Sequence, residues 1–432
     1  MTTLRTKIAM GLYASVATIM TPLVKYHLTK RIKRGKEHPS RFTEKLGHTS
    51  QVRPKGKLVW IHGASVGESL SILPLLETFH VLQPDLKFLV TTGTATSARL
   101  MEERLPDYAI HQFVPVDLPL AIGNFLKSWR PDIALIIESE LWPNMIFQTK
   151  AKGIPLVLLN GRMSQKSAKS WARASFFIQD LLKQFDLILA QSSTDARRFT
   201  ELGAPHVKKQ SNLKFAASPL AYKQDDLEEL VTRIGTRPVW FASSTHRGEE
   251  VFLAETHEKL REKIPDLLCI IAPRHPERGA EIFNEFQGKN LPLNLRSEGN
   301  PITEDTSIYL ADTLGELGLF YALSPVVIIG GSLLRKGGQN LLEPARQNCA
   351  IICGPDMQNF EEICNEMVEN NAIIKLSQTE NITAQMEELL LNKSHQQKLA
   401  QKAAAYVKDR GQEINDVANE ILQKLPAEPI TE

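Results

Sequence analysis

The sequence predicts an α/β protein of two doubly wound, parallel-sheet domains, and three observations predict it. The chain has 432 residues, 42% of them hydrophobic, which is too long for one compact core and too apolar for disorder. Past residue 57, short β-branched apolar runs alternate with amphipathic helical stretches, as in a parallel sheet covered on both faces. The polar stretch SNLKFAASPLAYKQDD then divides the runs into two series and reads as a linker.

The first element is not part of either series. From Ile8 to Val24 the chain carries no charge, just enough for a short membrane span. Its small and hydroxylated residues suit lying in the interface equally well. Lys25, Lys30, Arg31, Lys33, Arg34 and Lys36 follow, a run that suits anionic headgroups on a cytoplasmic leaflet. A cleaved signal peptide carries its charge before the apolar stretch, so membrane anchoring is expected, with an ordinary buried helix as the plainer alternative. Residues 1–50 hold ten Lys/Arg against two Asp/Glu, leaving 41 against 47 in the rest. The mildly acidic body has no basic stripe interleaved with aromatics, so no nucleic-acid partner is expected.

The first strand series is expected at 57–64, 86–94, 111–117, 132–139, 155–161 and 186–192, and the second at 237–245, 267–274, 307–313, 325–332, 350–356 and 372–377. From Gln385 onward the chain reads as long, charged helices. The expected domains are 1–36 (anchor and basic segment), 37–215, and 216–432 with the terminal helices. Two such sheets would face each other across a cleft, with ligands at the carboxyl ends of the strands. Cys269, Cys349, Cys353 and Cys364 form no CxxC pair and are expected as buried, reduced thiols.

The loops after the strands carry the chemistry. HGASVGES (62–69) lets backbone approach a ligand, but it is neither a P-loop nor a GxGxxG fingerprint. Glu68, near a helix N-terminus, could take a proton from an alcohol. Ser65 and Glu68 also have capping-box spacing, which needs no chemistry. Glu138 and Glu140 close the fourth run, where they could face a cleft or serve as a surface pair. Lys214 in the linker could reach an anion.

In the second half, APRHPERG brings Arg274, His275 and Arg278 together, suited to phosphate or a sugar carboxylate. DTLGELG sets Gly315 and Glu316 at a strand-to-helix junction. GGSLLRKGGQNLLEPA (330–345) reads as a strand, a Gly-rich basic loop and a helix beginning near Asn340: an anion site, with Glu343 able to accept from ribose hydroxyls. Asn340 and Glu343 also have capping spacing. No DxD motif ends a strand, so no metal and no cofactor is expected.

In order along the chain, WIHGASVGES, IIESELWPN, SNLKF, STHRGEE, PRHPER, DTLGEL and GGSLLRKGGQNLLEPA resemble the motifs of the 3-deoxy-D-manno-octulosonic acid (Kdo) transferases of lipopolysaccharide biosynthesis. The resemblance covers essentially the whole chain, apolar N-terminus and basic run included. It implies a metal-independent, inverting glycosyltransferase of GT-B architecture that moves Kdo from CMP-Kdo to a lipid A precursor. Its place would be the cytoplasmic face of the inner membrane, with inner-membrane lipids as partners of the N-terminal segment. The first domain would bind the acceptor and the second the donor. It further implies Glu68 as proton acceptor, Glu138 and Lys214 as transition-state stabilisers, and CMP contacts from Pro273, Arg274, Leu314, Gly315, Glu316, Asn340, Leu341, Leu342 and Glu343. Where the family often has GGHNPLE this chain has GGQNLLE, so Gln339 and Leu341 depart from its pattern. The competing readings are a GT-B enzyme of another nucleotide sugar, such as a UDP-sugar transferase or epimerase, and a non-catalytic sugar-nucleotide-binding membrane scaffold.

Overall fold

The alternation of apolar runs and helices resolves into two seven-stranded sheets in which every pairing is parallel. The computed structural model describes residues 2–35, 37–210, 212–287 and 291–427. Lys36 of the basic run and Ser211 of the SNLKF segment lie outside the described residues. The chain clusters into two compact units, 1–217 with 411–432, and 218–410.

The first unit contains β1 (Leu58–His62), β2 (Lys87–Thr92), β3 (Ala109–Phe113), β4 (Ile133–Ile137), β5 (Leu156–Gly161), β6 (Leu187–Ala190) and β7 (Val207–Lys209), in the order β3-β2-β1-β4-β5-β6-β7. The order reverses between β1 and β4, so the helices that follow these two strands leave toward opposite faces and open a crevice at the strand ends. Both strands are wholly buried. At about 1.5–3 kcal/mol for each fully buried large apolar side chain, such packing makes the strand ends a rigid platform for their loops.

The second unit contains β8 (Val239–Thr245), β9 (Leu268–Pro273), β10 (Leu293–Leu295), β11 (Ile308–Leu310), β12 (Val326–Ile329), β13 (Ala350–Cys353) and β14 (Ile374–Lys375), in the order β10-β11-β9-β8-β12-β13-β14. Its reversal falls between β8 and β12. The loops after β11, β9, β8 and β12 therefore line one edge side by side.

Three differences from the sequence reading have physical causes. The edge strands β7 and β10, three residues each, are too short to stand out as apolar runs. β3 begins earlier than the run 111–117, which contains Pro115, a residue with no N–H to give a ladder. The tail 411–432 was expected with the second domain. It packs instead in the first unit, because the helix Ile414–Leu422 buries Ile414, Val417, Ala418 and Ile421 in the cluster that holds Ile72, Leu75 and Phe79. The four cysteines are buried and unbridged.

The N-terminal apolar run forms the helix Leu4–Ile19, followed at a 52° bend by Thr21–Lys33, whose first turn contains Pro22. No single helix among the described residues is long and apolar enough to cross a membrane; this bent pair passes on length and composition together. The polarity of the first helix is inverted. Its one buried residue is Thr6, whose hydroxyl donates to the Phe176 carbonyl (3.3 Å), while Leu4, Ile8, Leu12, Val16 and Ile19 are exposed. A surface helix of a water-soluble domain does the reverse.

Candidate active site

The loop after β1 and the helix Val66–Leu82 position Glu68. Ser65 caps that helix, its Oγ accepting from the Glu68 N–H at 3.2 Å. The Glu68 carboxylate in turn accepts from the Ser65 hydroxyl and from the Ala64 N–H, each at 2.7 Å. The capping box is therefore real, and it leaves each carboxylate oxygen a lone pair for a further proton donor. A Cβ on Gly63 would lie 3.2 Å from the Cβ of Glu68 and from Ile72 Cδ1, so the tight return of the chain onto the helix favours glycine there.

Glu138 stands just past β4, at the other side of the crevice, with φ of +59°. Its carboxylate meets the Lys214 ammonium at 3.6 Å. Burial, and less strongly the charge of Glu68, pushes the Glu138 carboxyl above the usual range, while Lys214 and Arg162 pull the other way. Lys214 lies in the 3-10 turn Leu213–Ala216, hung over the strand ends by Asn160 Oδ1, which accepts from the Leu213 N–H (3.4 Å), and by Asn212, which donates to Gln191 Oε1 (3.1 Å). Two carboxylates and an ammonium thus converge from a helix N-terminus, a strand end and a 3-10 turn.

A left-handed glutamate carries about 1–2 kcal/mol of strain, and glycine gives back about 0.5–1 kcal/mol of that in chain entropy. Glu138→Gly is therefore expected to raise the melting temperature by about 1–4 °C while turnover falls. A lower melting temperature would mean that the carboxylate supports its loop.

Two supporting groups were not legible in the sequence. Lys45, itself buried, donates from Nζ to the Gly93 carbonyl (2.9 Å) and pairs with the buried Glu37 (2.7 Å). Gly93 lies against Ala64, the residue whose N–H holds Glu68. At the end of β1, the buried His62 donates from Nδ1 to the Thr91 carbonyl (3.1 Å) and turns Nε2 toward Glu140 at 3.7 Å. Burial would raise the Glu140 carboxyl, but the neighbouring His62 and the hydrogen bond from the Trp142 indole outweigh it and hold it below the usual range. Glu140 thus braces the loop rather than joining the Glu68 cluster.

In the second unit, Pro273 ends β9 and Arg274 follows it, its N–H donating to the Thr245 carbonyl (2.9 Å) and its guanidinium exposed. Arg274 is the arginine of that loop left to meet an anion, because Arg278 is held by the fully buried Glu250 (2.7 Å) and by Glu281 (3.1 Å). Leu314 is 83% exposed and Gly315 has φ of +85°. Burial raises the Glu316 carboxyl, but bonds from Arg296 (2.7 Å) and Thr313 prevail and hold it below the usual range. Glu343 is pushed up by burial, against Asn340, Arg346, Arg274 and the Tyr321 hydroxyl, and Tyr321 also bonds Ser243 (2.6 Å). Asn340 takes the Leu342 N–H on Oδ1 (2.9 Å) and donates from Nδ2 to Glu343 (3.0 Å).

The helix expected from Asn340 is a single turn, Leu342–Arg346, with Pro344 inside it, so helix-dipole attraction at this loop is small. Leu341 and Leu342 are buried and could offer a ligand only their backbone. The Gly-rich loop is instead shaped by Glu249, a fully buried carboxylate in STHRGEE whose role the sequence reading missed. It accepts from the N–H groups of Gly331 (2.7 Å), Leu333 (3.0 Å) and His246 (2.8 Å). Gln339, where the family often has His, donates to His246 Nε2 (3.1 Å). Burial, then the neighbouring His275, Lys336 and Arg274, keeps that imidazole below its usual pKa.

The profile of the family described as 3-deoxy-D-manno-octulosonic-acid transferase (kdotransferase) matches residues 40–217. The 3-deoxy-D-manno-octulosonic acid transferase of Rickettsia bellii is 34% identical over 96% of this chain and 99% of its own length. That of Haemophilus influenzae is 32% identical over 88% and 90%. Among solved structures, the UDP-GlcNAc 2-epimerase of Neisseria meningitidis bound to UDP-GlcNAc superposes with a TM-score of 0.58 at 14% identity, covering 86% of this chain and 99% of the epimerase. That last likeness is one of fold.

Proposed function

This chain belongs to the 3-deoxy-D-manno-octulosonic acid (Kdo) transferases, and from that premise we propose that it moves Kdo from CMP-Kdo to the lipid A precursor lipid IVA, with inversion and with Glu68 as general base. As a member of that family it is a glycosyltransferase with the two doubly wound sheets of the GT-B class. The observation that carries the finer reading is the convergence of Glu68, Glu138 and Lys214 at the switch point of the first sheet.

Glu68 takes the proton of the acceptor hydroxyl as its oxygen attacks the anomeric carbon of Kdo and CMP leaves. A carboxylate held by two short hydrogen bonds is already oriented for this, with no side-chain freedom to lose. Lys214 offsets charge developing in the transition state, and Glu138 fixes the ammonium in place. In the second unit Arg274 meets the departing phosphate, while Glu343, Asn340 and the 314–316 loop hold the nucleotide.

The site of action in this proposal is the cytoplasmic face of the inner membrane, within lipopolysaccharide core biosynthesis. The outward apolar face of Leu4–Ile19, followed by Lys25, Lys30, Lys33 and Arg34, supports it.

Incubation with CMP-Kdo and tetraacylated lipid A precursor is expected to yield product heavier by one or more Kdo residues. Because the leaving group is a monophosphate ester, EDTA is expected to leave the rate unchanged. Complete loss of activity in EDTA, restored by magnesium, would overturn the metal-independent step. CMP-Kdo binding with no mass gain would point to a scaffold. Stronger thermal protection by UDP than by CMP would point to another nucleotide sugar.

A further inference from the structure

Residues 162–179 carry Arg162, Lys166, Lys169 and Arg173 and no acidic residue. Within this segment Ser164 caps the helix Gln165–Ala172, which buries none of its residues. At 100° per residue, Lys166, Lys169 and Arg173 fall within about a 60° arc. Ala168 and Trp171 lie opposite and rest on the core cluster of the first unit, with the Trp171 ring stacked 6.4 Å from Phe177. The helix therefore leans on the protein by two residues and turns a face of one sign outward. None of the three cationic side chains makes a hydrogen bond or ion pair among the described residues. Soluble surfaces intersperse both signs. The nearest following acid, Asp180, is buried and engaged by the Thr3 N–H (2.7 Å) and Lys183 (3.5 Å).

The place of this face in the fold names its partner. The next helix, Ser175–Leu182, is the one on which Leu4–Ile19 sits, through Thr6 on the Phe176 carbonyl and Thr3 on Asp180. Phe176 is itself exposed, as are the outward apolar residues of that first helix. Apolar side chains beside an unpaired cationic face are what an interface of acyl chains and acidic headgroups complements. We propose that Lys166, Lys169 and Arg173 form a second membrane contact, seated on the phosphate-bearing headgroups of an anionic bilayer beside the N-terminal helix. The proposal rests on the membrane reading above. The segment begins at Arg162, whose N–H donates to the Glu138 carbonyl (3.2 Å), so seating it would set the depth of the Glu138 loop relative to the headgroups.

The test uses the full chain and flotation on vesicles of phosphatidylcholine, with and without phosphatidylglycerol, comparing the parent with a K166Q/K169Q/R173Q variant. At about fivefold per cation, the variant is expected to lose about tenfold to a hundredfold of the extra partitioning that phosphatidylglycerol confers. The loss should shrink as salt rises. Melting temperature, binding to pure phosphatidylcholine, and turnover on detergent-dispersed acceptor should be those of the parent. An unchanged gain from phosphatidylglycerol, or no such gain in the parent, overturns the proposal. Loss of turnover on dispersed acceptor would move the face from bilayer to acceptor binding and overturn it as well. The membrane reading of the first helix fails separately, if the parent does not float with pure phosphatidylcholine.

Discussion

Glu68→Gln is expected to lower turnover by about a hundredfold to ten-thousandfold while folding and CMP affinity stay as they are. The substitution separates two roles that the structure superimposes on one side chain. A glutamine oxygen can still accept from the Ala64 N–H. Ser65 Oγ, which already accepts from the residue 68 N–H, has a second lone pair for the new amide N–H, and its own proton can turn to water. The cap thus survives, and the change forfeits about 0.3–1 kcal/mol of interaction with the helix N-terminus. What glutamine cannot do is hold the proton of the acceptor. Melting temperature, CMP affinity and turnover measured on one preparation decide the matter. Near-normal turnover would remove Glu68 from the mechanism and make Glu138 the next carboxylate to replace.

Glu68, Glu138 and Lys214 stood out as candidates because each follows a strand or lies in the linker, but spacing alone left each a plainer reading, and their proposed roles came from the resemblance. Their meeting was not legible. It depends on β1 and β4 being neighbours and on Lys214 returning over β5 and β6, which are matters of sheet order and of hydrogen bonds that the Leu213 N–H and the Asn212 amide give to Asn160 and Gln191. Lys45 and Glu37 were invisible for a related reason. They sit in the basic N-terminal region, where any lysine reads as one more headgroup contact, yet their ion pair is buried and their target is the carbonyl of a glycine 48 residues away. The Gly-rich loop gave the opposite error. Its glycines and the following N-x-x-E spacing suggested a helix N-terminus, but Pro344 and the start of β13 at Ala350 leave room for one turn. The tail helix had the right periodicity, and nothing in a periodicity says which of two similar cores it will cover.

Replacing Glu249 with Gln is expected to loosen the loop that borders the proposed donor site, because a single carboxylate there satisfies three backbone donors. Oε2 takes the N–H groups of Gly331 and His246 and Oε1 takes that of Leu333; the carboxylate is fully buried, as are its bonds to Gly331 and Leu333. Glutamine keeps one accepting oxygen. Whichever way its amide turns, an NH2 group then faces at least one backbone N–H, leaving that donor unpaired at a cost of about 1–3 kcal/mol. Burial already pushes the carboxyl of Glu249 upward against the pull of these three donors, so the position has no spare polarity to compensate. The expected results are a lower melting temperature, amide exchange faster by about tenfold to a hundredfold at Gly331 and Leu333, and CMP binding weaker by a similar factor. Glu68 is untouched by the change, so the loss should appear in donor affinity, and saturating donor should recover part of the rate. Unchanged exchange at Gly331 and Leu333 would show that the loop holds its shape without the carboxylate, and the role given to Glu249 would then fall.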